Sequence, residues 1–192
     1  GGEEYQGSDY GYGTDPRILT QQEFEYQLAH HTEGMKTLRS VAMILCVGPA
    51  EKYCSRICCN VALKNALAIK QLAPDIEVVI FYRDIRTYGF GERLYTKARK
   101  RGILFVRYEE SQKPEVEISG PDKALHINAW EPYLQSPLHI QPDLLILSMP
   151  IVPQEDAAKT ATLFKVPLDK DGFFLEAHIK LRPVDFNTGG VF

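Results

Sequence analysis

Apolar residues in this chain gather in two textures. Some form unbroken runs of strand length, and others recur every three or four positions along longer stretches. Residues 41–47 are continuously apolar and close on Gly48-Pro49, the pattern of a strand buried on both faces. Residues 55–72 follow with helical spacing, carried by Val61, Ala62, Leu63, Ala66, Leu67 and Ile69, and Pro74-Asp75 ends them. Glu77–Tyr82 is a second apolar strand, so this strand–helix–strand unit is expected to be parallel and right-handed. A helix over 92–101 leads through Gly102 into a strand at 103–108, and Pro142-Asp143 introduces another buried strand at 144–148. Residues 115–118 and 124–129 read as antiparallel additions. Near the start, Thr20 caps a helix over Gln21–His30, with Glu23 at the capping-box position. Beyond Pro150 the pattern predicts a short helix at 156–164, a tight turn at 169–172 and a short strand at 173–177.

The fold class that follows is α/β: a Rossmann-like domain with a parallel sheet core and a small antiparallel addition. Its flanks have too little apolar periodicity to form a core alone and read as pieces of another domain. The expected partition is 1–40, 41–153 and 154–192.

Composition narrows the function. The chain has 192 residues, 44% hydrophobic and 24% charged, with 22 basic against 25 acidic side chains and a formal charge of −3. That balance gives nucleic acid no overall electrostatic footprint. The basic run 97–101 lies at an expected helix end, where cations complement the macrodipole. No apolar stretch approaches the roughly 20 residues that cross a bilayer, and no secretory leader is visible. The start at Gly-Gly without methionine reads as that of an excised fragment, and the expected location is the cytoplasm.

All four cysteines fall in one short stretch: Cys46-x7-Cys54-x3-Cys58-Cys59. A disulfide pair fits poorly, because neighbours Cys58 and Cys59 bridge each other only with strain. Cys46 alone at a strand end would serve as a buried structural thiol. Zinc sites present ligand pairs on short knuckles, whereas adjacent ligands on a helix point about 100° apart. A cubane iron–sulfur cluster suits that divergence better, since each thiolate takes a different iron. A helix N-terminus beside it offers N–H groups and positive dipole to the anionic sulfurs. Zinc stays open as the alternative, as the core of a metal-stabilised interaction module.

In a dinucleotide-binding domain the first strand-to-helix turn carries G-x-G-x-x-G around the pyrophosphate. Here that turn holds one glycine, Gly48, and cysteines fill the rest. Asp84 after the second strand is a weak candidate for a ribose ligand. A pyridine-nucleotide-dependent oxidoreductase domain is therefore the less favoured alternative. The histidines are scattered, with adjacent His30 and His31 lacking a partner at ligand spacing, and Ser55 reads as a helix cap.

Several segments resemble a known family. Cys46-Val-Gly48, Tyr53-Cys-Ser-Arg-Ile-Cys-Cys59, residues 81–89 (Phe-Tyr-Arg-Asp-Ile-Arg-Thr-Tyr-Gly), 15–23, 167–178 and 180–185 are similar to the A-type subunit of heterodisulfide reductase, an iron–sulfur flavoprotein. The resemblance implies a thioredoxin-reductase-like FAD domain interrupted by an α/β domain that carries a [4Fe–4S] cluster. It implies Cys46, Cys54, Cys58 and Cys59 as cluster ligands, and Lys64 and Glu23 as residues facing FAD. Electron transfer between FAD and the cluster would follow in the complete subunit, the fragment alone being inactive. The implied partners are other subunits of such a complex, and ferredoxin or hydrogenase-linked donors. It also implies that 1–40 and 154–192 are parts of the FAD domain. Ser148-Met149-Pro150 departs from the family pattern, where a glycine is usual.

Overall fold

A computed structural model describes residues 1–48, 54–121 and 123–192. In chain order the elements are β1 (Gly2–Glu4), β2 (Ile18–Thr20), α1 (Gln21–His30), α2 (Thr32–Lys36), β3 (Ser40–Ile44), α3 (Cys58–Leu72), β4 (Glu77–Tyr82) and α4 (Glu92–Lys100). Then come β5 (Leu104–Arg107), β6 (Glu115–Ser119), β7 (Ala124–Glu131), β8 (Ser136–Ile140), β9 (Leu144–Leu147), β10 (Ile151–Pro153) and α5 (Ala157–Phe164).

The chain divides into two compact units. One is Gln6–Pro150; the other joins Gly1–Tyr5 to Ile151–Phe192. The larger unit is built on a five-stranded parallel sheet in the order β2-β9-β3-β4-β5. The order reverses between β3 and β9, so the carboxyl ends of those strands form the topological switch point at which open α/β sheets bind their ligands. β3 is buried on both faces: Val41 and Met43 pack in the cluster formed with α1 and α3, and Ala42 and Ile44 are fully buried as well. That explains why its sequence is unbroken rather than alternating.

The α/β class with its parallel core is what the pattern predicts. The antiparallel addition is three-stranded, β6-β7-β8, with Leu125 and Ile127 of β7 buried. Its third strand, β8, carries Pro137 opposite Trp130 and lies at the sheet edge, where a missing N–H is tolerated. That proline hides the strand in the sequence.

Residues 6–40, expected with the flanking domain, fall by their packing in the larger unit. β2 pairs in parallel with β9, and α1 packs on α3. The chain passes from one compact unit to the other near residue 6. β2 has only three residues, too few for any period to show. α1 is capped as expected: Thr20 Oγ1 accepts from the Glu23 N–H, and Glu23 Oε2 accepts from the Thr20 N–H at 2.7 Å.

α3 begins at Cys58, three residues later than expected. Arg56 stands at φ 62, a left-handed backbone that interrupts the helical path. Ile57 stands at the N-cap in place of Ser55, and its side chain makes no capping hydrogen bond. The strand-to-helix turn that stands where a pyrophosphate loop would be lies in part on residues 49–53, outside the described residues.

In the smaller unit β1 and β10 form an antiparallel pair and α5 follows. The strand expected at 173–177 is reduced to a single antiparallel bridge between Leu168 and Phe174. Asp169 holds this turn by accepting from the N–H groups of Asp171 and Phe173, both at 2.9 Å.

Candidate metal centre

The four cysteines arrive from three directions at the switch point. Cys46 follows β3 and takes a left-handed backbone, φ 61, as the chain leaves the sheet. Cys58 and Cys59 are the first two residues of α3, and Cys54 precedes it. Together they line one small cavity of about 40 Å³, with Arg83, Asp84 and Arg86 after β4 and Ser148 and Pro150 after β9 completing the wall.

Adjacent helical residues diverge by about 100°, and the two thiols here have different partners. The Cys58 thiol donates to the Met149 carbonyl at 3.8 Å, whereas the Cys59 thiol donates to the Asp84 carbonyl at 3.6 Å. One reaches the end of β9, the other the loop after β4. Among the described residues, no three His, Cys, Asp or Glu side chains converge tightly enough to hold a single ion. Two sulfurs also accept backbone donors: Arg56 N–H to Cys54 at 3.4 Å and Arg86 N–H to Cys59 at 3.5 Å.

Burial pushes the Cys58 thiol up to about 12, and the neighbouring cysteines Cys59, Cys54 and Cys46 push in the same direction. Burial raises Cys46 and Cys59 too, against backbone hydrogen bonds from Arg83 and Arg86 that favour their thiolates. Thiols that desolvation and mutual repulsion hold neutral become thiolates together only around a compensating positive charge. At the N-terminus of α3 the Cys58 N–H favours the thiolate of its own side chain, in the same sense as the helix dipole. The donor set fits a thiolate-ligated metal cluster.

Lys64 and Glu23 are not part of this cavity. Lys64, in the second turn of α3, is half-exposed, and its Nζ pairs with Glu25 Oε2 of α1 at 2.6 Å. The Glu23 carboxylate is occupied by the capping box and by the Tyr12 hydroxyl, which donates to it at 3.0 Å. Arg83 and Arg86 join the wall without any ligand-type spacing in the sequence to announce them. The signal that could have found them is their position directly after the second parallel strand, the position that singles out Asp84 in the sequence.

No protein-family model matches the chain. Individual relatives do. An iron–sulfur A-type subunit of the CoB–CoM heterodisulfide reductase of Methanopyrus kandleri is 36% identical over 215 aligned residues, covering 100% of this chain and 32% of that protein. The A-type subunit of the ferredoxin:CoB–CoM heterodisulfide reductase of Methanosarcina acetivorans is 36% identical over 167 residues, 84% of this chain and 20% of that protein. Over most or all of its length this chain is similar to one part of the A-type subunits of heterodisulfide reductase. It spans between a fifth and a third of the length of these relatives.

Solved structures agree on the fold. Thioredoxin reductase from T. acidophilum superposes with a TM-score of 0.59 at 14% identity, over 100% of this chain and 53% of that one. The Lactococcus lactis thioredoxin reductase gives 0.54 at 15% identity, over 100% and 54%. The fold is thus thioredoxin-reductase-like. Among the described residues no helix is long and apolar enough to cross a membrane.

Proposed function

We propose that this chain is the cluster-carrying part of a heterodisulfide-reductase-type flavoprotein, with Cys46, Cys54, Cys58 and Cys59 as the ligands of a [4Fe–4S] cluster. The observation that carries this reading is the lining of one small cavity by all four cysteines at the switch point of the sheet. When bound, the cluster supplies one-electron transfer between FAD of the complete subunit and its protein partners.

The chain's own residues do the rest. The divergent Cys58 and Cys59 suit ligands to different irons, and no convergence on one point is needed. Arg56 and Arg86 N–H groups donate to ligand sulfurs, an effect that raises a cluster's potential by stabilising its more negative state. Burial of Cys59 and partial burial of the other three limit the access of bulk water to the sulfurs. Lys64 and Glu23 are assigned to the flavin side, residues 1–40 and 154–192 to the FAD domain, and the location to the cytoplasm. The partners in this reading are the other subunits of the complex, with ferredoxin or hydrogenase-linked donors.

The test is anaerobic reconstitution with iron and sulfide, followed by iron and acid-labile sulfide analysis and a visible spectrum. A brown protein with about four irons and four sulfides per chain supports the reading. Cys58→Ser or Cys59→Ser is then expected to abolish or strongly perturb that spectrum. A colourless protein with stoichiometric zinc replaces it with the zinc-stabilised module.

A further inference from the structure

We propose that the loop after β4 and the exposed face of α4 form a docking surface for an acidic electron-carrier protein. The proposal rests on the cluster reading above and adds to it the side from which a partner approaches.

Charge is distributed unevenly. Between Arg83 and Arg101 there are seven basic and two acidic residues, a net of +5, although the whole chain carries −3. The remainder of the chain therefore carries −8. Part of the excess at the end of α4 has a local reason, because cations favour a helix C-terminus. Arg93 does not: it sits in the first turn of α4, where the dipole disfavours a cation. It lies instead 4.9 Å above the Phe90 ring, a cation–π contact displayed at the surface. Arg93, Lys97 and Lys100 follow at i, i+4 and i+7 and so share one helical face, all three exposed. Among the described residues, Lys97 and Lys100 have no acidic partner.

The same segment displays aromatic rings. Tyr88 is 66% and Phe90 80% exposed. Large rings and arginine are the residue types that concentrate binding energy at protein interfaces. A solvated helix face explains the lysines but not two rings so exposed to water.

Position ties this surface to the cysteines. Asp84 and Arg86, which open the loop, touch the Cys59 sulfur through the backbone. Thr87 then donates to Glu92 at 3.1 Å, pinning the loop to the start of α4. The Asn60 side chain of α3 fills the space beside Gly91, leaving no room there for a Cβ. The loop that walls the cavity is thus the loop that presents Tyr88 and Phe90, and α4 continues from it. A partner of opposite charge would be steered to the nearest wall of the redox site.

The experiment uses the intact, cluster-loaded subunit with a purified [2Fe–2S] ferredoxin of low isoelectric point as the probe. Binding is followed by calorimetry and electron transfer by stopped flow, each across a salt series. The wild type is expected to bind and exchange electrons more weakly as salt rises. The R93E/K97E/K100E variant is expected to lose at least about tenfold in both at low salt and to lose the salt dependence, with iron content unchanged. F90A, which keeps the charges, is expected to weaken binding while retaining the salt slope. Charge-dependent ferredoxin binding without electron transfer supports the surface and overturns its link to the cluster. A loaded cluster with identical affinities and salt slopes in wild type and triple variant overturns the surface. Binding to anionic lipid vesicles or to duplex DNA, with none to ferredoxin, also overturns it.

Discussion

Asn65 donates through one amide nitrogen to both the backbone carbonyl and the side-chain oxygen of Gln21, at 3.1 and 2.9 Å. Both residues are buried, and the Gln21 amide passes the connection on to Ser148 Oγ at 3.2 Å and the Met43 sulfur at 3.6 Å. Ser148 leads into Met149, whose carbonyl accepts from Cys58. A polar network thus links α1, α3 and the end of β9 just behind the cysteine cavity. Removing one member strands the others without water, which costs more than the net value of one hydrogen bond. Asn65→Ala is expected to lower stability by about 2–3 kcal/mol. Ser148→Ala is expected to cost less, about 1 kcal/mol. Urea midpoints of both single variants and the double variant check this, and strict additivity would mean the network is not a unit.

Asp15 gives the clearest pH dependence. Its hydrogen bond with Arg17, 2.7 Å between Nη2 and Oδ2, holds its carboxyl at about 2, against an ordinary value of 3.8. A carboxyl depressed in the folded state contributes stability that is fully present above its unfolded value and lost as pH falls towards 2. The pair is partly exposed, so solvent screening reduces the contribution to about 1 kcal/mol. Asp15→Asn is expected to be less stable than wild type by that amount at pH 7 and equal to it near pH 2. A difference that persists unchanged into acid would assign the stability to shape rather than charge.

How much of this is legible in the sequence follows from the range of the interactions. β4 stands out because residues 78–82, five consecutive apolar positions in a parallel strand, leave an unbroken signature. α1 is visible through Thr20 and Glu23, a local pairing three residues apart. The clustering of the cysteines along the chain already points to one site, and the cavity gathers all four. What stays hidden depends on partners far along the chain. β2 is three residues held by β9 from the far end of the larger unit, and Arg56 takes its left-handed backbone with no glycine to announce it. The Lys64–Glu25 ion pair joins two helices whose packing no local period encodes.

Lys64 is expected to act on the flavin and not on the fold. Its pair with Glu25 is half-exposed, so Lys64→Ala is expected to change unfolding free energy by no more than about 1 kcal/mol. If the ammonium faces FAD in the intact subunit, it favours the anionic reduced ring, and its loss lowers the flavin potential by tens of millivolts. Glu25→Gln removes the opposing charge and is expected to shift the potential the other way. Redox titration of the intact subunit reads both. Two variants with the wild-type potential would leave Lys64 as a helix-surface cation.

Cys46 combines strain with ligation, and the two roles separate by substitution. Its φ of 61 is a conformation that costs a residue with a Cβ about 1–2 kcal/mol and costs glycine little. Cys46→Gly relieves that strain while giving up the packing of a mostly buried thiol. Metal-free stability is expected to stay within about 1 kcal/mol of wild type. Cys46→Ala keeps the strain and loses the sulfur, so it is expected to be less stable than the glycine variant by about 1 kcal/mol. Neither variant can supply a thiolate, and both are expected to take up less iron on anaerobic reconstitution and to lose the wild-type visible spectrum. Urea denaturation of the metal-free forms reads the backbone contribution, and iron and sulfide analysis reads the ligand. Equal stability of the alanine and glycine variants would remove the strain argument. A Cys46→Gly protein with full iron and an unchanged spectrum would remove Cys46 from the ligand set.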